Sequence, residues 1–298
     1  MGNTRVQNYP KNEAIDRRII GDYIFAALTR IALLICVAIL LALSTAIIFQ
    51  GIRAINLPFL FSPSRDFGAS GGIVYQIWGS LLLAVTASLL VLPFAVGTAI
   101  FRSEYLKTDK AKRLFDLSIF SLNGVPSITY GLFGLILFVN VLGMGVSWFI
   151  GAIILAIMML PTVTLSAFQA MSSIPETYRE NGYALGLNQS GVIRKIILPQ
   201  SLHGIVTGLL IALARAVGET APIMFIATAF SGVTMPKSLY EPVATLPTHI
   251  LALAQQATNP DALRNAWGAS LTLMFIVICL SALAFYARRR LQTLSERQ

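Results

Sequence analysis

Residues 117–175 read LSIFSLNGVPSITYGLFGLILFVNVLGMGVSWFIGAIILAIMMLPTVTLSAFQAMSSIP, and none of these 59 positions is Asp, Glu, Lys or Arg. A hydrocarbon core about 30 Å thick is crossed by roughly 20 helical residues. The run therefore holds two membrane spans and a turn, and is too long for one buried helix of a soluble domain. Working outward, the rest of the chain has the same character. Of its 298 residues, 56% are hydrophobic and 12% charged, against about 25% charged in soluble domains. In lipid, an open chain can satisfy its backbone polar groups only as helix. The sequence predicts an all-α membrane protein with six transmembrane helices, at about 25–49, 76–101, 116–139, 147–170, 204–229 and 269–287. Residues 1–24 and 288–298 flank that 25–287 domain as polar segments. The polar lead and the length of the first apolar run read as a retained span rather than a cleaved signal peptide.

Orientation follows from the basic residues. With both termini inside, sixteen Lys and Arg fall on inner segments, and Arg53, Arg65, Lys237 and Arg264 alone on outer ones. That asymmetry is the positive-inside pattern. The formal charge of +9 is thereby mostly a topology signal, and no nucleic-acid partner is needed to explain it. Trp78, Trp148 and Trp267 fall at outer span ends, where an interfacial belt would place them. Cys36 and Cys279 lie in apolar runs and give neither a disulfide framework nor metal spacing. His203 and His249 are single histidines on opposite sides and read as packing or surface residues. Metalloprotease, serine-hydrolase, EF-hand and Walker A spacings are absent from the sequence. No catalytic residue, metal site or cofactor is expected in this chain.

One charged pair interrupts the apolar pattern. In Gly204-Ile-Val-Thr-Gly-Leu-Leu-Ile-Ala-Leu-Ala-Arg215-Ala-Val-Gly-Glu219-Thr-Ala-Pro222, Arg215 and Glu219 sit four residues apart. At ~1.5 Å per residue, Arg215 lies roughly 16 Å along the helix from Gly204, near mid-bilayer. The spacing puts both groups on one helix face. Intramembrane charges are costly and mark transport paths, although a buried ion pair can also simply lock helices. Gly218 and Pro222 are places where the helix can loosen. Asn123-Gly124-Val125-Pro126 interrupts the third span in a similar way, and a simple kink would explain it.

Three connecting segments are long enough to act. The outer segments are 51–75 and 230–268, the second with a short helix near His249–Gln256. The inner segment 171–200 reads as two short helices, Glu180–Leu185 and Val192–Leu198, joined by a turn at Gly186 and ended by Pro199. A rigid helix-turn-helix of this kind can receive a push from a partner, and an ordinary structured loop would have the same composition.

The inner segment also resembles a known family. Permease subunits of binding-protein-dependent ABC importers carry Glu-Ala-Ala, three residues, Gly, nine residues and Ile-x-Leu-Pro. Glu180, Gly186, Ile196, Leu198 and Pro199 occupy these positions at the same spacing, while Asn181 and Gly182 replace the alanines. Arg215-Ala-Val-Gly-Glu219-Thr220-Ala-Pro222 resembles a segment of the A-type permease of phosphate-specific transport systems. Asn123–Gly134 resembles a segment shared by the phosphate permeases.

The resemblance implies a type I ABC importer permease fold in the cell inner membrane. It also implies that Arg215, Glu219 and Thr220 belong to the path or gate for inorganic phosphate. Glu180, Gly186, Ile196, Leu198 and Pro199 would receive the ATPase. The implied partners are a second, C-type permease, two ATPase subunits that bind ATP and Mg, and a phosphate-binding protein. A sulfate or molybdate permease is the alternative. A gradient-driven secondary transporter would need no inner docking element, and an intramembrane enzyme using Glu219 would need a second catalytic group that the sequence lacks.

Overall fold

The computed structural model describes residues 13–228 and 235–295. The chain falls into two units, residues 1–49 and 50–298. The first holds most of α1 (Glu13–Gly51), whose segment Asp22–Gly51 contains an 18-residue stretch of mean hydropathy 3.0. The predicted span 25–49 lies inside α1.

In the second unit, α2 (Leu57–Phe61) starts at Asn56, whose side chain accepts the Phe59 amide. A two-residue hairpin follows, with β1 (Ser64–Arg65) antiparallel to β2 (Ser70–Gly71). Helix α3 (Val74–Ile100) continues into a π turn at Phe101–Tyr105. The chain then forms α4 (Asp109–Asn123), α5 (Ser127–Gly134) with a π turn at Leu135–Val141, and α6 (Trp148–Ser172). Next come α7 (Glu176–Ala184), α8 (Gln189–Val192), a π turn at Ile193–Ile197, and α9 (Leu198–Val217). Helices α10 (Ala221–Ile226), α11 (Leu246–Ala254) and α12 (Pro260–Ser295) complete the described chain.

Among the described residues, five helices are long and apolar enough to cross a membrane, or six if the bent pair α4–α5 counts as one. Three of the expected spans take a different form. The third is broken by 88° between Asn123 and Ser127. Gly124 ends α4, and Pro126 lacks a donor and disfavours a helical Val125. The fifth span begins earlier, at Gln189, and its long helix stops at Val217 rather than 229. The sixth begins at Pro260, about two turns before the expected start. The outer short helix also starts earlier, at Leu246, and ends at Ala254.

Helix α6 is the centre of this unit. Its Ile150, Ile154, Leu155, Met159 and Val163 are buried, and α3 and α9 pack along it. Lipid offers no hydrophobic gain for helix association, so close backbone approach through small residues does that work. Helix α3 presents Ala84, Ala87, Val91, Ala95 and Ala99 as its buried stripe. Helix α9 uses Gly204 and Gly208, where an added Cβ would collide with Ala170 and Ser166 of α6. This Gly-x-x-x-Gly pair sets an antiparallel register that levels Arg215 with Met159, about halfway along the 25-residue α6.

The second unit has two distinct ends, joined by α3. At one end, the π turn after α3 meets α4, α7 and α8: Arg102 pairs with Asp116, and Gln189 bonds the Glu104 carbonyl. At the other end, the start of α3 meets the loop before α11, where the Ser80 hydroxyl accepts the Leu246 amide. Trp148 begins α6 at this second end, with its backbone amide on the Glu241 carbonyl and its indole on the Ser238 carbonyl.

Candidate functional site

The charged pair of the sequence lies at a helix break. Arg215 is in the last turn of α9, and Glu219 lies beyond the helix end, past Gly218. The expected i,i+4 pair forms, but across the helix end: Gly218 keeps right-handed dihedrals, and the Gly218 and Glu219 amides bond the Arg215 and Ala216 carbonyls in a tight last turn. Arg215 Nε donates to Glu219 Oε1 at 3.3 Å. The terminal guanidinium nitrogens of Arg215 make no hydrogen bond among the described residues, and its side chain is 54% exposed against 15% for Glu219. A cation in the last turn is favoured by the helix dipole, and a guanidinium keeps its charge there. Thr220 follows Glu219 as the residue entering α10.

The second break comes to the same place. Helix α5 packs on α10 so closely that a Cβ on Gly131 would meet the Pro222 backbone, and one on Gly134 would meet Ile154 and Ile226. The Tyr130 hydroxyl donates to the Leu122 carbonyl at 2.7 Å and ties α5 to the end of α4 across the bend. The Asn123–Pro126 interruption is therefore an abrupt turn that lays α5 against the segment after Arg215, and not a shallow kink. Broken helices at membrane depth are tolerated where they border a path.

The inner residues gather around α7 and α8. Gly186 has φ +83° and makes the tight turn between them, with its amide on the Tyr183 carbonyl. Nothing lies within 4 Å of where its Cβ would be, so the turn needs glycine for its backbone conformation and not for space. Glu180 is exposed, as is Asn181, where the importer pattern has alanine. Gly182 is buried, and a Cβ there would press on the side-chain ends of Ile196 and Val192, which would have to shift to admit the alanine of the importer pattern. Ile196 and Leu198 are half-buried against Val192, Ile197 and Ile205, and Pro199 is exposed. Leu185, 83% exposed, stands at the tip with Tyr178 and Tyr183 exposed nearby.

Pro199 does not end a helix as expected. The backbone stays helical at Ile197 and Leu198, and one continuous helix runs from Gln189 to Val217. The π turn at Ile193–Ile197 lies just upstream. Its wider ladder shifts the hydrogen-bond register by one residue and makes room for the ring and the missing donor.

Arg179 is a functional candidate that sequence reading passed over as one more inner cation. It is 8% exposed. Its Nη1 donates to the Ile174 carbonyl at 2.9 Å, and its Nη2 to the Met171 carbonyl at 3.1 Å and to Glu104 Oε1 at 3.0 Å. Burial pulls its pKa down, but the Glu104 hydrogen bond and charge, with Glu176, more than offset this, and the net shift is upward. Its partner Glu104 is 75 positions away, so no local pattern could have announced the pair. A polar cavity of about 730 Å³ opens beside it, lined among others by Arg102, Lys107, Lys112 and Tyr183.

On the opposite end, His249 is buried, its Nε2 has no hydrogen-bond partner among the described residues, and burial lowers its pKa to about 4. A Cβ at Gly68 would strike its ring. Gly68 follows Asp66 and Phe67, two non-glycine residues with positive φ, in a turn held by Asn265 Nδ2 on the Gly68 and Ala69 carbonyls.

These arrangements agree with what the chain is similar to. Residues 92–293 match the model of the binding-protein-dependent transport system inner membrane component. The chain is 30% identical over 279 residues to the probable ABC transporter permease protein YqgI of Bacillus subtilis, covering 90% of this chain and 95% of that one. It is 32% identical over 277 residues to the probable phosphate transport system permease protein PstA of Methanocaldococcus jannaschii, covering 91% and 94%. It is 33% identical over 227 residues to PstA 1 of Mycobacterium tuberculosis strain H37Rv, covering 74% and 72%. Among solved structures, a chain of a bacterial alginate ABC transporter aligns with TM-score 0.64 at 15% identity, covering 92% of this chain and 96% of that one. A chain of the MetNI methionine ABC transporter aligns with TM-score 0.57 at 15% identity, covering 75% and 95%. The helix-turn-helix at one end, the broken helices at mid-depth and the match over residues 92–293 converge: the chain belongs to the family of binding-protein-dependent transport system inner membrane components.

Proposed function

We propose that this chain is the membrane permease of an ATP-driven importer for inorganic phosphate. The observation that carries the proposal is Arg215 at the α9–α10 break. It is level with the middle of α6, its terminal nitrogens are unbonded among the described residues, and α5 packs against α10 just beyond it. A guanidinium offers a planar fork of donors that suits a phosphate oxyanion. The similarity to phosphate permeases of the PstA type supports that choice over sulfate or molybdate. Glu219 tethers the guanidinium when the path is empty, and in this reading its carboxylate accepts a hydrogen bond from a protonated phosphate oxygen. Thr220 lies next to it at the entry to α10.

The chain works beside a second permease of the C type, two ATPase subunits that use ATP and Mg, and a phosphate-binding protein. Both termini lie on the cytoplasmic side, as the basic residues indicate. Closure of the ATPases pushes on Glu180, Gly186 and the exposed Leu185, and Ile196, Leu198 and Pro199 carry the push into α9. Exposed apolar side chains at a polar loop fit a protein partner.

The test is labelled-phosphate uptake in cells with and without this chain, with excess sulfate as competitor and with the ATPase disabled in parallel. Uptake that needs both proteins and ignores sulfate is expected. Uptake that survives loss of the ATPase would make the chain a gradient-driven carrier. Competition by sulfate would move the substrate to that oxyanion.

A further inference from the structure

The inner end contains a joint built on one carboxylate. Glu104 lies in the π turn Phe101–Tyr105 that ends α3, and its side chain is 5% exposed. Its Oε1 accepts from the Ser103 hydroxyl at 2.7 Å and from Arg179 Nη2 at 3.0 Å. Its backbone carbonyl accepts from Gln189 Nε2 at 3.0 Å, at the first residue of α8. One residue of α3 therefore holds α7 through Arg179 and α8 through Gln189, on both sides of the Gly186 turn. Arg179 also binds the carbonyls of Met171 and Ile174, at the end of α6. Met171 is in the last turn of α6, where its carbonyl also takes the Ile174 amide, and Ile174 lies two residues past the helix end.

Two features argue for transmission beyond anchoring. First, both long helices that leave this joint carry a π turn beside it: Phe101–Tyr105 in α3, and Ile193–Ile197 after α8. A π turn is a local weak place in the helical ladder, where a helix can change rotation or register at small cost. Second, the elements fixed by the joint lead to Arg215. Helix α3 packs on α6, and α6 packs on α9 through Gly204 and Gly208. Packed helices move as units and not as fluid layers.

We propose that Glu104 and Arg179 are positioning residues that convert motion of α7 into movement of α3 and α6, and hence of the path at Arg215. Neither touches substrate. The inference rests on the importer reading for the origin of the push, and adds where that push enters the membrane helices.

The test uses the complete transporter in proteoliposomes with the loaded binding protein, reading ATP hydrolysis and labelled-phosphate uptake together. Glu104→Gln keeps the side-chain shape and leaves the Arg179 bonds to α6 in place. The expected result is an assembled complex whose uptake per ATP falls about tenfold, in the usual range of coupling between sites. Arg179→Lys lowers the same ratio. The double variant is no worse than the more impaired single one, because the Glu104 change acts only through the ion pair that Arg179→Lys already disrupts. An unchanged ratio in an assembled Glu104→Gln complex overturns the proposal. So does loss of the ATPase with a normal ratio in whatever complex remains, which would make the pair an anchor only. If the wild-type transporter moves a different oxyanion, the substrate assignment fails, and the ratio read with that oxyanion still decides the joint.

Discussion

Arg215 combines a permanent charge with an open hydrogen-bonding edge. Lysine would keep the charge and lose the fork. Arg215→Lys is expected to leave the complex assembled and to reduce phosphate uptake about tenfold or more, the scale of one lost charge-assisted hydrogen bond at ~1.5–3 kcal/mol. Full uptake by the variant would remove Arg215 from the path. His249 gives a pH prediction at the other end of the molecule. Burial holds its pKa at about 4 in the folded chain, below the ordinary 6.5. The unfolded chain therefore takes up a proton that the folded chain refuses. The stabilisation is complete above pH ~6.5 and is lost as pH falls toward ~4, by up to ~3 kcal/mol. The drop in Tm between pH 7 and 4.5 should be larger in the wild type than in His249→Gln. Equal drops in both would show that His249 does not control acid stability.

At the scale of elements, two rules competed at Pro199. Proline ends most helices, and the sequence reading placed a break there. The chain instead inserts a π turn at Ile193–Ile197 and keeps one long helix from Gln189 to Val217. One helix thereby connects the helix-turn-helix to Arg215, with the π turn as its yielding point near the Gly186 end. That helix is held to α6 by Gly204 and Gly208. Gly208→Leu would force a branched side chain onto Ser166 and separate the helices. Overpacking of this kind costs typically 1–3 kcal/mol. A lower Tm in detergent with reduced uptake is expected, and an unchanged Tm would mean that α9 can move away from α6 without loss.

For the whole molecule, sidedness is the central prediction. Leu185 and Phe67 are both exposed, and they belong to opposite ends of the unit formed by residues 50–298. In a chain with Cys36 and Cys279 changed to Ser, Leu185→Cys should react with an impermeant maleimide only in inverted vesicles, and Phe67→Cys only in intact spheroplasts. Binding of the ATPase should protect Leu185→Cys. Reversed labelling would invert the topology, and unaltered labelling with ATPase bound would separate Leu185 from the docking surface.

Hydropathy and charge in the sequence were enough for the class, the number and rough position of the spans, and the turn at Gly186. These properties depend on length, polarity and local backbone preference, which can be read residue by residue. The sequence also isolated Arg215 and Glu219, because a charge in an apolar run stands out without any contact being known. Tertiary structure alone decided what surrounds them. Gly124 and Pro126 break the helix locally, but where α5 lies after the 88° turn depends on its packing against α10, through Gly131 against Pro222. The role of Arg179 depends on a carboxylate 75 positions away. Pairings over such distances are settled by helix packing, where small residues and register choose the partners, and no local period in the chain encodes them.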